Sequence, residues 1–188
     1  MKSITEYLDS KISYENSTPE RRDIGSTYDR RDYDDAKSKM DKRQEDFGGK
    51  KSITDPFGNK LHDNPDAAKN KYGEQNLTKH KPNVDHVVPL KKVHEMADFL
   101  GVPPEKAKEI ANDKSNLWTI NEHDNKSKGA KSNFEMAYNE VKDGNYSKAA
   151  TWAEQGVKST ASVGGKLVGA AIENKVEQAR KEIGIWLY

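Results

Sequence analysis

Apolar positions along this chain are sparse, and their spacing predicts the elements one after another. Ile4, Tyr7, Leu8 and Ile12 form the stripe of a short amphipathic helix, and a polar linker with Pro19 and Gly25 follows to about residue 26. Tyr33, Ala36, Met40 and Phe47 recur at helical spacing, which predicts one charged helix over about 28–47, ended by Gly48-Gly49. KSITDPFGNKLHD carries two short apolar pieces around a turn sequence and predicts a small hairpin, with a polar loop running on through Pro82. The β-branched run NVDHVVPL predicts a short strand that Pro89 stops. Val93, Met96, Ala97 and Leu100 then mark a helix closed by Gly101, and VPPEKAKEIAND starts another with proline in its first turn. A short strand at Leu117–Ile120 runs into a polar, lysine-bearing helix start. From about 132 to 188 the pattern is helical, with Phe134, Ala137, Tyr138 and Val141 on one stripe.

These elements give an α+β class, mostly helical, in three parts. Residues 1–50 form a charged helical extension, 51–135 a core with a helical insertion, and 136–188 a C-terminal helical region. Charged residues make up 34% of the chain, hydrophobic residues 32%, and mean hydropathy is −1.08. That is thin material for one continuous core, so a small packed module with less self-sufficient flanks is expected. With no cysteine, disulfides and thiolate zinc sites are excluded. The net charge of +1 supplies no global field for nucleic acid, so any such contact must come from local clustering of Lys and Arg. No apolar run approaches the ~20 residues needed to span a bilayer, and the start lacks the apolar stretch of a secretory signal; a cytoplasmic protein without membrane contact is expected. The small residues of STASVGGKLVGAA suit close helix–helix contact, with a protein partner through the C-terminal helices or a boundary within a longer parent as the readings.

The chemistry concentrates between Asn83 and Ser132. Asp85-His86 ends one strand, Asn116 opens the next, and Asn125 lies nine residues further, on the helix start. Cleaving a phosphodiester requires an activated water and neutralisation of charge at the phosphate and the leaving oxygen. Carboxylate and amide oxygens suit Mg2+, which keeps several waters and takes few protein ligands. A neutral imidazole takes a proton from water near physiological pH. Asp, Asn and His are therefore a chemically complete set.

VDHVVPL followed by NLWTINEHDNKSKG resembles the HNH nuclease signature, a first part reading DHIxPL and a second reading NLxxL with an H/N-x-x-KG helix. The resemblance covers roughly the middle quarter of the chain. It implies a small ββα-metal core within the α+β fold and an endonuclease hydrolysing DNA with one divalent ion, Mg2+, for which Mn2+ or Ni2+ can substitute. Asp85 and Asn125 are implied as metal ligands and His86 as general base. Asn116 is implied to brace the loop and orient the His86 ring. Asparagine at 125, where many relatives have histidine, is similar to phage Holliday-junction resolvases and the HNH domain of CRISPR effector nucleases. The CxxC pairs of many relatives are missing, so the hairpin needs support from packing, by Trp118 and Val87. Residues 87–115 form a long insertion that reads as two helices. The implied partners are DNA and, in a toxin-like or phage-like branch, a cognate inhibitor or immunity protein.

Each residue also has a plainer reading. His123 competes with Asn125 as a ligand if the helix starts in another register. His94 reads as a phosphate contact or an auxiliary ligand, or more plainly as a half-exposed helical histidine. Lys126, Lys128 and Lys131 read as phosphate contacts or as ordinary solvated lysines. Trp118, alternating with Leu117, reads as core before it reads as a stacking platform. Rival functions are a non-catalytic nucleic-acid-binding module that keeps the ββα shape, and a phage or toxin interaction protein.

Overall fold

A computed structural model describes residues 28–182 of the chain; the helix expected within residues 1–26 and the apolar end at 183–188 lie outside them. The described chain is mostly helical, with two separate two-stranded antiparallel sheets. The helix expected over 28–47 is broken into α1 (Arg30–Tyr33) and α2 (Ala36–Phe47). Asp34 and Asp35 stand between them in extended conformation, and the Asp35 carboxylate accepts from the Lys37 amide. An aspartate in mid-pattern thus caps a new helix more favourably than it continues the old one. Gly48 closes α2 at φ 51°, a left-handed backbone that glycine adopts without steric cost.

The expected hairpin is present as β1 (Ser52–Thr54) paired with β2 (Lys60–His62). The polar loop expected after it is instead α3 (Pro65–Tyr72), a 3-10 turn and α4 (Leu77–His80). The start signal was in the sequence: Asn64 caps α3 through the Asp66 amide, and Pro65 occupies its first turn.

Strand β3 (Pro82–His86) pairs antiparallel with β4 (Leu117–Asn121), setting Asp85 opposite Trp118 and His86 opposite Leu117. Between them lie α5 (Leu90–Leu100) and α6 (Pro104–Ala111), the two helices predicted for the insertion. α7 (Glu122–Lys128) follows β4 directly. α8 (Asn133–Lys142) opens with a Ser132–Glu135 capping box, and α9 (Tyr146–Glu182) closes the described chain. The C-terminal helical region is therefore two helices, separated at Gly144.

Two apolar clusters flank the β3–β4 pair. In one, Val93 and Ala97 of α5 meet Ala107 and Ile110 of α6, Tyr33 of α1, and Val163, Leu167 and Ala171 of α9. In the other, Val87, Trp118 and Ile120 pack with Met136 and Trp152, with Phe57 of the hairpin loop against them. Val87 and Trp118 thus give the hairpin the packing support expected of them. The small-residue stretch lies within α9, and its buried face packs against α5 and α6 of the same chain. No described helix is long and apolar enough to cross a membrane.

Glycines 164, 165 and 169 sit inside α9, where a Cβ would meet no atom within 4 Å, whereas at Gly156 it would stand 3.1 Å from Asn133 Cβ. Because a helical glycine costs about 0.5–1 kcal/mol relative to alanine, Gly164→Ala, Gly165→Ala and Gly169→Ala should each raise stability by roughly that amount. Gly156→Ala should not. Urea unfolding of the four variants checks this, and equal gains at all four positions would contradict the packing difference.

Candidate functional site

Asp85 and His86 are consecutive on β3, so their side chains leave the strand in opposite directions. At the strand end both residues line one cavity of about 200 Å3, also lined by Tyr28, Arg30, Lys91 and Gly129. On the α7 side, Asp85 Oδ2 accepts from the Trp118 indole N–H at 3.0 Å and from the Lys128 ammonium at 2.6 Å. Lys128 is only 1% exposed. Its other two donors go to the backbone carbonyls of His86 at 2.5 Å and Val87 at 3.2 Å. An ammonium has three protons, and all are used. Burial pushes the Lys128 pKa down, and the adjacent Asp85 charge opposes that shift.

The position of Lys128 follows from how α7 starts. Asn121 caps the helix by accepting from the Asp124 amide, and its amide group donates to Asp55 and Asp124. Asp55 is itself held by the hairpin loop, through the amides of Phe57 and Asn59. Asp124 receives Lys148 of α9 at 2.8 Å. The helix is thereby pinned at its first turn to the β1–β2 hairpin and to α9, and its last residue is delivered under β3.

On the other side, the His86 ring is 6% exposed and its Nε2 lies 2.9 Å from Asn112 Oδ1. The orientation of Asn112 is fixed independently: its NH2 donates to the carbonyls of Tyr33 and Lys108, and its Oδ1 accepts the Asp35 amide. Oδ1 can only accept, so His86 Nε2 carries the proton and donates. In the neutral ring Nδ1 then holds the lone pair, and it has no hydrogen-bond partner among the described residues. Burial, the largest influence, holds the His86 pKa below the ordinary histidine value. The ring is therefore a neutral base with a defined tautomer.

Asn116 does not orient His86. Its side chain accepts the Val88 amide and donates to the carbonyls of Val88 and Ala111, tying the end of β3 to the end of the insertion. The expected loop brace is present, but the ring's partner is Asn112. Asn125 is half-buried on α7, its side chain makes no hydrogen bond among the described residues, and it does not line the cavity. The residue of α7 that reaches Asp85 is instead Lys128, three positions further along the helix. His123 is 54% exposed beside Asp124, 3.5 Å away.

Other expectations need correction. Lys128 is no surface phosphate contact but a buried counter-charge. His94 is neither a phosphate contact nor half-exposed: it is 7% exposed, with Nδ1 2.8 Å from the Tyr33 hydroxyl and its ring among Tyr28 and Tyr33. Lys126 and Lys131 are exposed, the first paired with Glu122 and the second bonded to the Ser127 carbonyl. Trp118 is core, as expected, and also a donor to Asp85. Sequence reading missed Asn112, Asn121 and the inward turn of Lys128. For Lys128 a signal existed, since Asp124 and Lys128 share the inner face of a short helix at i, i+4. For Asn112, a residue just past a helix end, there was none.

No family model, curated protein or solved structure matches this chain, so the resemblance rests on the motif residues and where the fold puts them. Among the described residues no group of three or more His, Cys, Asp or Glu side chains is placed to hold a metal ion. A cation here would rest on one carboxylate, amide oxygen and water, a donor set that suits a hard, largely hydrated ion. Asp85 retains Oδ1, which accepts no hydrogen bond among the described residues, and the Asn125 amide is uncommitted. The donor types suit such an ion, but Asn125 stands off the cavity and Lys128 already offsets the carboxylate's charge, so a shared site would need the Asn125 side chain to turn toward Asp85.

Removing one partner of a buried pair leaves an uncompensated charge at a cost of about 3–5 kcal/mol. Lys128→Met should lower unfolding stability by that order, and Asp85→Asn/Lys128→Met should lose clearly less than the sum of the single changes; additive losses would show the pair is uncoupled. A second expectation concerns pH. The folded His86 pKa is depressed, so the unfolded state binds the proton more readily. The ring's contribution is thus complete above the unfolded value of about 6.5. It is lost as pH falls from there toward the folded value. Melts in EDTA from pH 7.5 to 5 should show a steeper loss for the native chain than for His86→Gln, and parallel curves would exclude a buried neutral ring.

Proposed function

We propose that this chain is a divalent-metal-dependent endonuclease of the HNH type, hydrolysing phosphodiester bonds in DNA, with β3, β4 and α7 as its ββα-metal element. The observation carrying this reading is the convergence of Asp85 and His86 on one cavity with the free lone pair assigned to His86 Nδ1. His86 Nδ1 takes a proton from a water as that water's oxygen attacks phosphorus; the bond from phosphorus to the leaving oxygen breaks, and that oxygen takes a proton from solvent to leave as a hydroxyl. Asn112 holds the ring and accepts the Nε2 proton's hydrogen bond throughout, stabilising the imidazolium that forms. Asn116 fixes the chain turn that sets the distance between β3 and the insertion. Asp85 and Asn125 would hold a Mg2+-type ion, which when bound supplies charge neutralisation at the phosphate and leaving oxygen.

One observation favours a second reading, a nucleic-acid-binding or interaction module that keeps this shape without catalysis: the Lys128 ammonium already sits on Asp85, as a cation would. Plasmid nicking separates the two. With Mg2+ or Mn2+ the native chain should nick DNA, EDTA should stop it, and His86→Ala should reduce the rate by roughly 10^2–10^4-fold. Cutting that His86→Ala leaves intact would sink the catalytic assignment, and no cutting with any divalent ion would favour the second reading.

A further inference from the structure

Resting on the nuclease reading, we infer that Arg30 and Lys91 are the residues that grip the substrate phosphate, so that α1 is a component of the site. The cavity shared by Asp85 and His86 is also lined by Arg30 of α1 and Lys91 of α5. Among the described residues neither cation is held by a hydrogen bond, and Arg30 has only a long ion pair. The nearest carboxylate oxygen to Arg30, on Asp34, is 3.9 Å away and the side chain is 74% exposed. Lys91 is exposed and has no ion pair among the described residues. Most other described lysines near the strand pair are spoken for: Lys39 by Asp34, Lys42 by Asp46, Lys81 and Lys126 by Glu122, and Lys128 by Asp85.

The floor of the same space is His86, nine-tenths buried, with Nδ1 unpartnered among the described residues. The N-terminus of α5 opens there too, starting at Leu90 with no side-chain cap, so its first amides add partial positive charge. A volume of about 200 Å3 accommodates a phosphodiester group and its waters. Two cations and an amide end thus line the cavity that His86 also lines, and positive charge of this kind recognises a tetrahedral oxyanion rather than a carbonyl or an apolar ligand, with the His86 base beside it. Guanidinium and ammonium would each take a non-bridging oxygen.

The test uses the full chain in EDTA, with inorganic phosphate titrated while the His86 ring signals are followed by NMR. The native chain should show saturable shifts at His86. Arg30→Gln and Lys91→Gln should each weaken binding roughly ten-fold or more, while Lys158→Gln, remote on α9, should not. The salt dependence of DNA binding should also flatten by about one unit of slope per variant. Unchanged phosphate binding in both variants, or phosphate that leaves His86 unperturbed, overturns the inference even if the native chain cuts DNA. Phosphate binding lost in the variants, from a chain that never cuts, keeps the anion site and removes the nuclease reading.

Discussion

One buried ion pair organises this molecule. Lys128 and Asp85 meet almost without water, and taking two charges out of solvent costs several kcal/mol before their attraction is counted. The cost is offset only because each partner is otherwise saturated: the ammonium by two backbone carbonyls, and the engaged carboxylate oxygen by an indole N–H. The pair can therefore form in one arrangement, with α7 beneath the end of β3 and Trp118 across from Asp85. Hydrophobic contact alone would tolerate a shifted helix, whereas three hydrogen bonds from one nitrogen, two of them short, do not.

The second constraint runs the other way, from the N-terminal side. Asn112 is held by backbone groups of Tyr33 and Asp35, and it in turn holds His86. A segment that reads as a charged extension is thus wired to the imidazole through one amide. Its anchoring is apolar as well as polar. Tyr33 is buried against α5 and α6, and Thr119 of β4 donates to Asp46 of α2.

How much of this could be read from residues differs by level. Elements bounded by glycine or proline were legible, because those residues act on the backbone locally: α5 ends at Gly101, and α6 begins behind Pro103. Breaks made by side-chain capping were harder, since Asp34-Asp35 looks like any charged pair on a solvated helix until one carboxylate turns back onto an amide. Asp85 and His86 could be picked out because their chemistry and spacing are unusual together. Asn112 could not, because an asparagine past a helix end is common, and its role exists only through partners 26 and 79 positions away. The inward turn of Lys128 depends on tertiary burial, which spacing suggests but does not decide.

The insertion between the paired strands has a consequence for how the chain comes together. β3 and β4 are joined through α5 and α6, whose apolar faces are covered by Val163, Leu167 and Ala171 of α9, more than 40 positions after β4. Ser159 of α9 also donates to the carbonyl of Ser115, just ahead of β4. On a ribosome, the segment carrying Asp85 and His86 therefore emerges long before the helix that seals the insertion. The insertion would be sealed only once the chain through Ala171 has left the exit tunnel, so until then a nascent chain carries its reactive residues beside an unpacked insertion.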